Sequence, residues 1–120
     1  METYPKMCRQ QGELIVEFAP SSQESCGQSL RMVLDLDRFG ELLGIEIINL
    51  LLKAGGDCLG IIRQIVRADG ESMRYSHDEE SDCFYLRLAV GESVDQKAID
   101  GSVFLDQYGR ITRLSVQWPQ

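Results

Sequence analysis

The sequence predicts an α+β fold: two antiparallel β-meander repeats with approximate two-fold pseudosymmetry, joined by one amphipathic helix. Three observations predict it. The phrase LDLDRFGELLGIEI (Leu34 to Ile47) is echoed by FLDQYGRITRLSV (Phe104 to Val116), so that Leu36, Asp37 and Gly40 recur 69 positions later as Leu105, Asp106 and Gly109. A strand-like run precedes each phrase, LIVEF (Leu14 to Phe18) and FYLRL (Phe84 to Leu88). Between the two sets lies an apolar stripe at helical spacing. Internal repetition is sought first, because it constrains every later assignment. The expected layout is one domain over 1–120, with repeat one at about 12–50, a linker helix at about 57–68 and repeat two at about 72–118.

Each phrase reads as a hairpin. Asp37 and Asp106 open turns in which a carboxylate can accept backbone amides two residues on. Gly40 and Gly109 supply the positive φ that closes a turn with a bulge. Flanking residues alternate: Met32, Leu34 and Leu36 against Val33 and Asp35, then Leu43, Ile45 and Ile47 against Leu42, Gly44 and Glu46. Residues opposite each other in a ladder share a face. Pairing Leu34 with Leu43 and Met32 with Ile45 satisfies this rule and sets Arg31 opposite Glu46.

The linker NLLLKAGGDCLGIIRQIVRADG contains Asp57, a suitable helix N-cap. Leu59, Ile62, Ile65 and Val66 then recur at helical spacing, which predicts a helix from about Cys58 to Arg67. The strands carry apolar residues on a second face too: Ile15, Val33, Leu42, Tyr85, Phe104 and Ile111. A sheet wet on one side would be polar there. Cover by the helix, by the other repeat or by another subunit is expected, and a homodimer is one form of it.

Composition narrows the class. At 120 residues the chain matches a single domain, and 43% hydrophobic with 26% charged residues is ordinary for a soluble globular protein. No run approaches the roughly 18 apolar residues of a membrane span. METYPKMCRQQGE lacks a basic start followed by an apolar run, so a cytoplasmic location is expected and no membrane partner. Net charge is −7, which disfavours direct nucleic-acid binding and suits a basic protein partner. Cys8, Cys26, Cys58 and Cys83 contain no C-x-x-C pair, and His77 has no cysteine near it, so neither zinc nor any other cofactor is expected.

The second half, MRYSHDEESDCFYLRL followed by VFLDQYGRITRLSV, resembles a small prokaryotic family titled domain of unknown function 2283. That family typically reads tyrosine, aspartate, polar residues, aspartate and an aromatic-aliphatic strand, then a D-x-D-x-x-G-x-[IL]-x-G-[IL]-E-[IL] hairpin. Asp78, Asp82 and Tyr85 stand at the matching positions of the second half, and Asp35, Asp37, Gly40, Gly44, Ile45, Glu46 and Ile47 match the hairpin in the first. His77 replaces the usual tyrosine, Arg113 the second hairpin glycine and Ser115 its glutamate; the first half lacks the leading aspartate-rich turn. The resemblance implies a compact strand-rich unit and carries over no catalytic residues.

Candidate chemistry is sparse. YSHDEESD (Tyr75 to Asp82) gathers four carboxylates beyond its histidine but lacks the D-x-D-x-D-G alternation of a calcium loop, and reads as a solvated turn. AGGDCLG matches no phosphate loop, and Asp57 would repel a phosphate. The favoured expectation is a small non-enzymatic interaction or regulatory module. It would bind an unidentified protein through Ile15, Val33, Leu42, Tyr85, Phe104, Ile111 and Trp118, since aromatic residues often anchor interfaces. The alternative is an acidic inhibitor occupying the nucleic-acid groove of a basic partner. The third reading is a metal-dependent protein or enzyme using His77, Asp78 and Asp82.

Overall fold

Seven antiparallel ladders join eight strands into one sheet. The computed structural model describes residues 3–20, 27–66 and 73–118. In chain order the strands are β1 Lys6–Gln10, β2 Glu13–Glu17, β3 Gly27–Leu36, β4 Leu42–Ile48, β5 Arg74–Asp78, β6 Cys83–Arg87, β7 Asp95–Leu105 and β8 Ile111–Gln117. Two short helices, α1 Leu50–Ala54 and α2 Gly60–Ile65, lie between β4 and β5. Strand order across the sheet is β1-β2-β8-β7-β3-β4-β6-β5.

This overturns the expected fold class. With 53% strand and 11% helix the protein is mostly antiparallel β, a curled eight-strand half-barrel with two small helices. It is not a balanced α+β fold of two β-meander repeats in two-fold relation. A meander pairs its strands in chain order, whereas here β2 bonds to β8 and β4 to β6. Neither half of the chain therefore closes on itself. The longest ladder, from Gly27↔Phe104 to Leu36↔Asp95, joins β3 to β7 across the middle.

Alternation explains which face is dry. Leu14 and Val16 of β2, Met32 and Leu34 of β3, Ile45 and Ile47 of β4, Phe84 and Leu86 of β6, Val103 of β7 and Leu114 of β8 are all buried on one face, around which the sheet curls. Leu50 of α1 and Leu59 and Ile62 at α2 close the same cluster. Burial of a large aliphatic side chain contributes roughly 1.5–3 kcal/mol, so this shared core outweighs any local preference of the two short helices.

The first hairpin is two residues out of the expected register. Leu34 pairs with Ile45, Met32 with Ile47 and Val33 with Glu46, and a bulge between Asp35 and Leu36 brings Leu36 opposite Leu42. A two-residue slip preserves the faces of Leu34 and Ile45. The bulge does not preserve the rest: Leu42 turns into the core, and Leu43 lies outside that cluster against Gly91, where an added Cβ would stand 2.7 Å from Leu43 Cδ2. The same irregularity between Phe104 and Leu105 turns Ile111 into the core. Arg31 pairs with Asp100 of β7, their side chains 3.4 Å apart, and not with Glu46.

The helix also differs from expectation. Regular helix covers only Gly60–Ile65, its N-cap position is Leu59, and Asp57 contributes a backbone carbonyl to the Gly60 amide at 3.1 Å. Arg67 and the remainder of the expected 57–68 helix lie outside the described residues. The preceding helix α1 has no local capping side chain; Asn49 enters it in the left-handed region, at φ 59°.

Candidate interaction surfaces and the polar ladder

The two turns are built alike. Asp37 Oδ1 accepts the amides of Phe39 at 2.8 Å and Glu41 at 2.9 Å, while Gly40 has φ 78°. Asp106 Oδ1 accepts those of Tyr108 and Arg110, both at 2.9 Å, and Gly109 has φ 79°. Arg110 also reaches Asp106 Oδ2 through Nε and a terminal nitrogen, each at 2.8 Å. Burial pushes the Asp106 carboxyl up, but the bonds from the Arg110 amide, the Arg110 side chain and the Tyr108 amide prevail and hold it below the usual range. Both turns present an aromatic ring to solvent: Phe39 is 74% exposed and Tyr108 66%.

The face turned away from the core carries a polar ladder across four strands. Tyr85 of β6 extends over Gly44 of β4 to donate its hydroxyl to the Asp35 carboxylate of β3. Gln96 of β7 donates to the same carboxylate at 2.9 Å. Burial and then the Asp35 hydrogen bond push the Tyr85 phenol up to about 12. Beside it, the Cys83 thiol donates to Glu46 Oε1 at 3.1 Å, and burial followed by that bond raises the thiol to about 11. A buried carboxylate is tolerable only when bonded in this way.

The seven residues expected to form one interaction face are not brought together. Ile15, Val33, Tyr85 and Phe104 are half-buried on the outer face, where the Arg113 guanidinium lies 4.1 Å from the Phe104 ring centroid. Leu42 and Ile111 are in the core. Trp118 packs against the core's margin, with Lys97 Nζ 5.7 Å from its ring centroid.

YSHDEESD is more than a solvated turn. His77 faces the core from β5, and its Nε2 lies 2.8 Å from Asp82 Oδ1. The Asp82 carboxylate also accepts the Leu51 and Leu52 amides at 3.1 and 3.0 Å, at the start of α1. A side chain 30 positions away thus supplies the cap that α1 lacks locally. Burial pushes the Asp82 carboxyl up, but the hydrogen bonds from His77, Leu52 and Leu51 prevail and hold it low. Asp78 instead points outward and takes the Glu80 amide at 3.0 Å. Among the described residues no group of three or more His, Cys, Asp or Glu side chains could hold a metal ion.

Neither a family model, nor a curated protein, nor a solved structure matches the chain. Function is therefore read from its surfaces alone. No helix among the described residues is long and apolar enough to cross a membrane.

One surface was missed in the sequence. Phe39, at the tip of the β3–β4 turn, faces Val94 of the β6–β7 connection across a groove of about 320 Å³, lined also by Asp37, Arg38 and Glu92. Val90, in the same connection, is 74% exposed and Val94 56%. The D-x-x-G spacing places Phe39 at a turn tip and was a signal for its exposure. Nothing in AVGESV signals that Val94 joins it, because the placement depends on the Val94 amide bonding to the Leu36 carbonyl at 2.9 Å.

Proposed function

We propose that this protein is a small non-enzymatic interaction module that docks a protein partner on the sheet end formed by the β3–β4 turn and the β6–β7 connection. The observation that carries this reading is the exposure of three large apolar side chains, Phe39, Val90 and Val94, at one end of the molecule. Single exposed apolar residues are ordinary, whereas a group of them on adjoining segments is a feature of binding surfaces. Two carboxylates drawn from solvent have structural partners, which favours binding over catalysis: Asp35 accepts Gln96 across strands, and Asp82 is held by His77 at a helix start.

Affinity capture from host lysate at physiological salt tests this, comparing the tagged wild-type chain with the Phe39→Ser/Val94→Ser variant. A stoichiometric partner retained by the wild type and lost from the variant supports the surface. Equal capture by both defeats it.

A further inference from the structure

We propose that the partner segment seated at Phe39, Val90 and Val94 is basic as well as apolar, with arginine or lysine flanking the apolar residues that enter the groove. This deepens the docking reading and rests on it. The groove itself is lined by Asp37, Glu92 and Arg38 beside Phe39 and Val94, and Glu41 and Asp95 adjoin its segments. Asp95 belongs to this surface because it pairs with Leu36 in the β3–β7 ladder, and Glu41 because its carbonyl accepts the Asp37 amide at 3.0 Å. Among the described residues, the carboxylates of Glu41 and Glu92 have no hydrogen-bond or ion-pair partner. Arg38 lies over the Phe39 ring, 4.8 Å from its centroid, rather than on an acid. The field at this end is therefore negative around an apolar centre, and complementary charge is what such a rim selects in a partner.

The surface is also pre-set. Asp37 Oδ1 pins the Phe39 amide, and the Val94 amide is bonded to β3, so little backbone ordering opposes docking. The other acidic turn, Asp78-Glu79-Glu80, stands near exposed Ile48 and Leu52 but at the opposite end of β6, and it serves as the comparison surface.

The test uses fluorescence anisotropy with labelled dodecapeptides alternating leucine and arginine, serine and arginine, or leucine and glutamate. The full chain, the Phe39→Ser/Val94→Ser variant and the Glu79→Gln/Glu80→Gln variant are compared, with circular dichroism verifying that each is folded. The leucine–arginine peptide is expected to bind the full chain at least tenfold more tightly than either other peptide. Binding should fall at least tenfold in Phe39→Ser/Val94→Ser, less than twofold in Glu79→Gln/Glu80→Gln, and severalfold between 50 and 300 mM salt, values chosen to span the screening range. Equal binding of the serine–arginine peptide, or indifference to the Phe39 variant, overturns the proposal in favour of unspecific charge attraction. Preference for leucine–glutamate overturns the charge assignment. Sedimentation velocity is run in parallel: self-association lost in Phe39→Ser/Val94→Ser assigns the surface to a second copy and also overturns it. If no peptide binds while lysate capture still depends on Phe39 and Val94, the basic-partner inference fails and the docking surface stands. If both fail, both are wrong.

Discussion

A methyl group added at position 44 would collide with the Tyr85 hydroxyl and stand 3.0 Å from the Leu86 carbonyl oxygen. Gly44 is thus fixed by what crosses it. Gly44→Ala should cost ~1–3 kcal/mol in denaturant unfolding, the usual range for overpacking a tight site. Tyr85→Phe leaves the space unchanged but removes a donor from the buried Asp35 carboxylate, with an expected loss of ~1–3 kcal/mol. Gly44 was visible in the sequence only as part of a hairpin pattern. Its partner across the strands was not, because Tyr85 is 41 positions away and reaches Asp35 diagonally. Thiol reactivity is a second residue-scale outcome. Among the cysteines in the described residues, iodoacetamide at pH 7.5 should label exposed Cys8 first, with Cys83 and buried Cys58, each raised to about 11, reacting slowly until the chain is unfolded. Peptide mapping by mass spectrometry reads the order, and early labelling of Cys83 would contradict the Glu46 bond.

Elements show the same division between local and distant information. LIVEF and FYLRL were legible as strands because alternation is written within five residues, and the D-x-x-G turns because their chemistry is local. Strand β1 was not: KMCRQ is polar, and four of its five residues are exposed, so no periodicity marks it. Helix α1 was missed for another reason, since its cap comes from Asp82. That cap has a pH dependence. Because the folded carboxyl is held below its ordinary value, its contribution is present above the unfolded pKa and is lost as pH falls through the lower folded one. Asp82→Asn keeps a residue tolerant of the left-handed backbone, here φ 52°, and removes only the charge. It should lower stability at neutral pH by ~1 kcal/mol, the order of a helix cap. It should also flatten the fall in stability below pH ~4. Urea titrations at several pH values measure both. The turns provide a comparison within one molecule: Asp106→Ala should destabilise more than Asp37→Ala, because it also releases Arg110.

At the scale of the whole molecule, the pairing of β2 with β8 and β4 with β6 makes each half of the chain incomplete. Residues 1–68 and 69–120 produced separately should show no cooperative thermal transition, and mixing them should restore one together with the β-sheet circular dichroism. A cooperative transition in either fragment alone would contradict the interleaved sheet. This is also why the repeated phrase misled the fold prediction. The similarity of the two turns is local and real in their hydrogen bonds, but strand partnership is decided by burial of a common core, which no window of sequence records. The bulges compound the error, since one inserted residue in each long hairpin exchanges the faces beyond it and sends Leu42 and Ile111 inward.

Interleaving has a consequence for synthesis on the ribosome. Strand β2 emerges well before its neighbour β8, which begins at Ile111; at roughly 5–20 residues per second the wait is on the order of 5–20 s. Throughout that interval the apolar side chains of Leu14 and Val16 have no β8 to lie beside, and Ile45 and Ile47 wait likewise for β6. The nascent chain is therefore a natural client for holding chaperones, and slowing translation should lower the yield of folded protein rather than raise it.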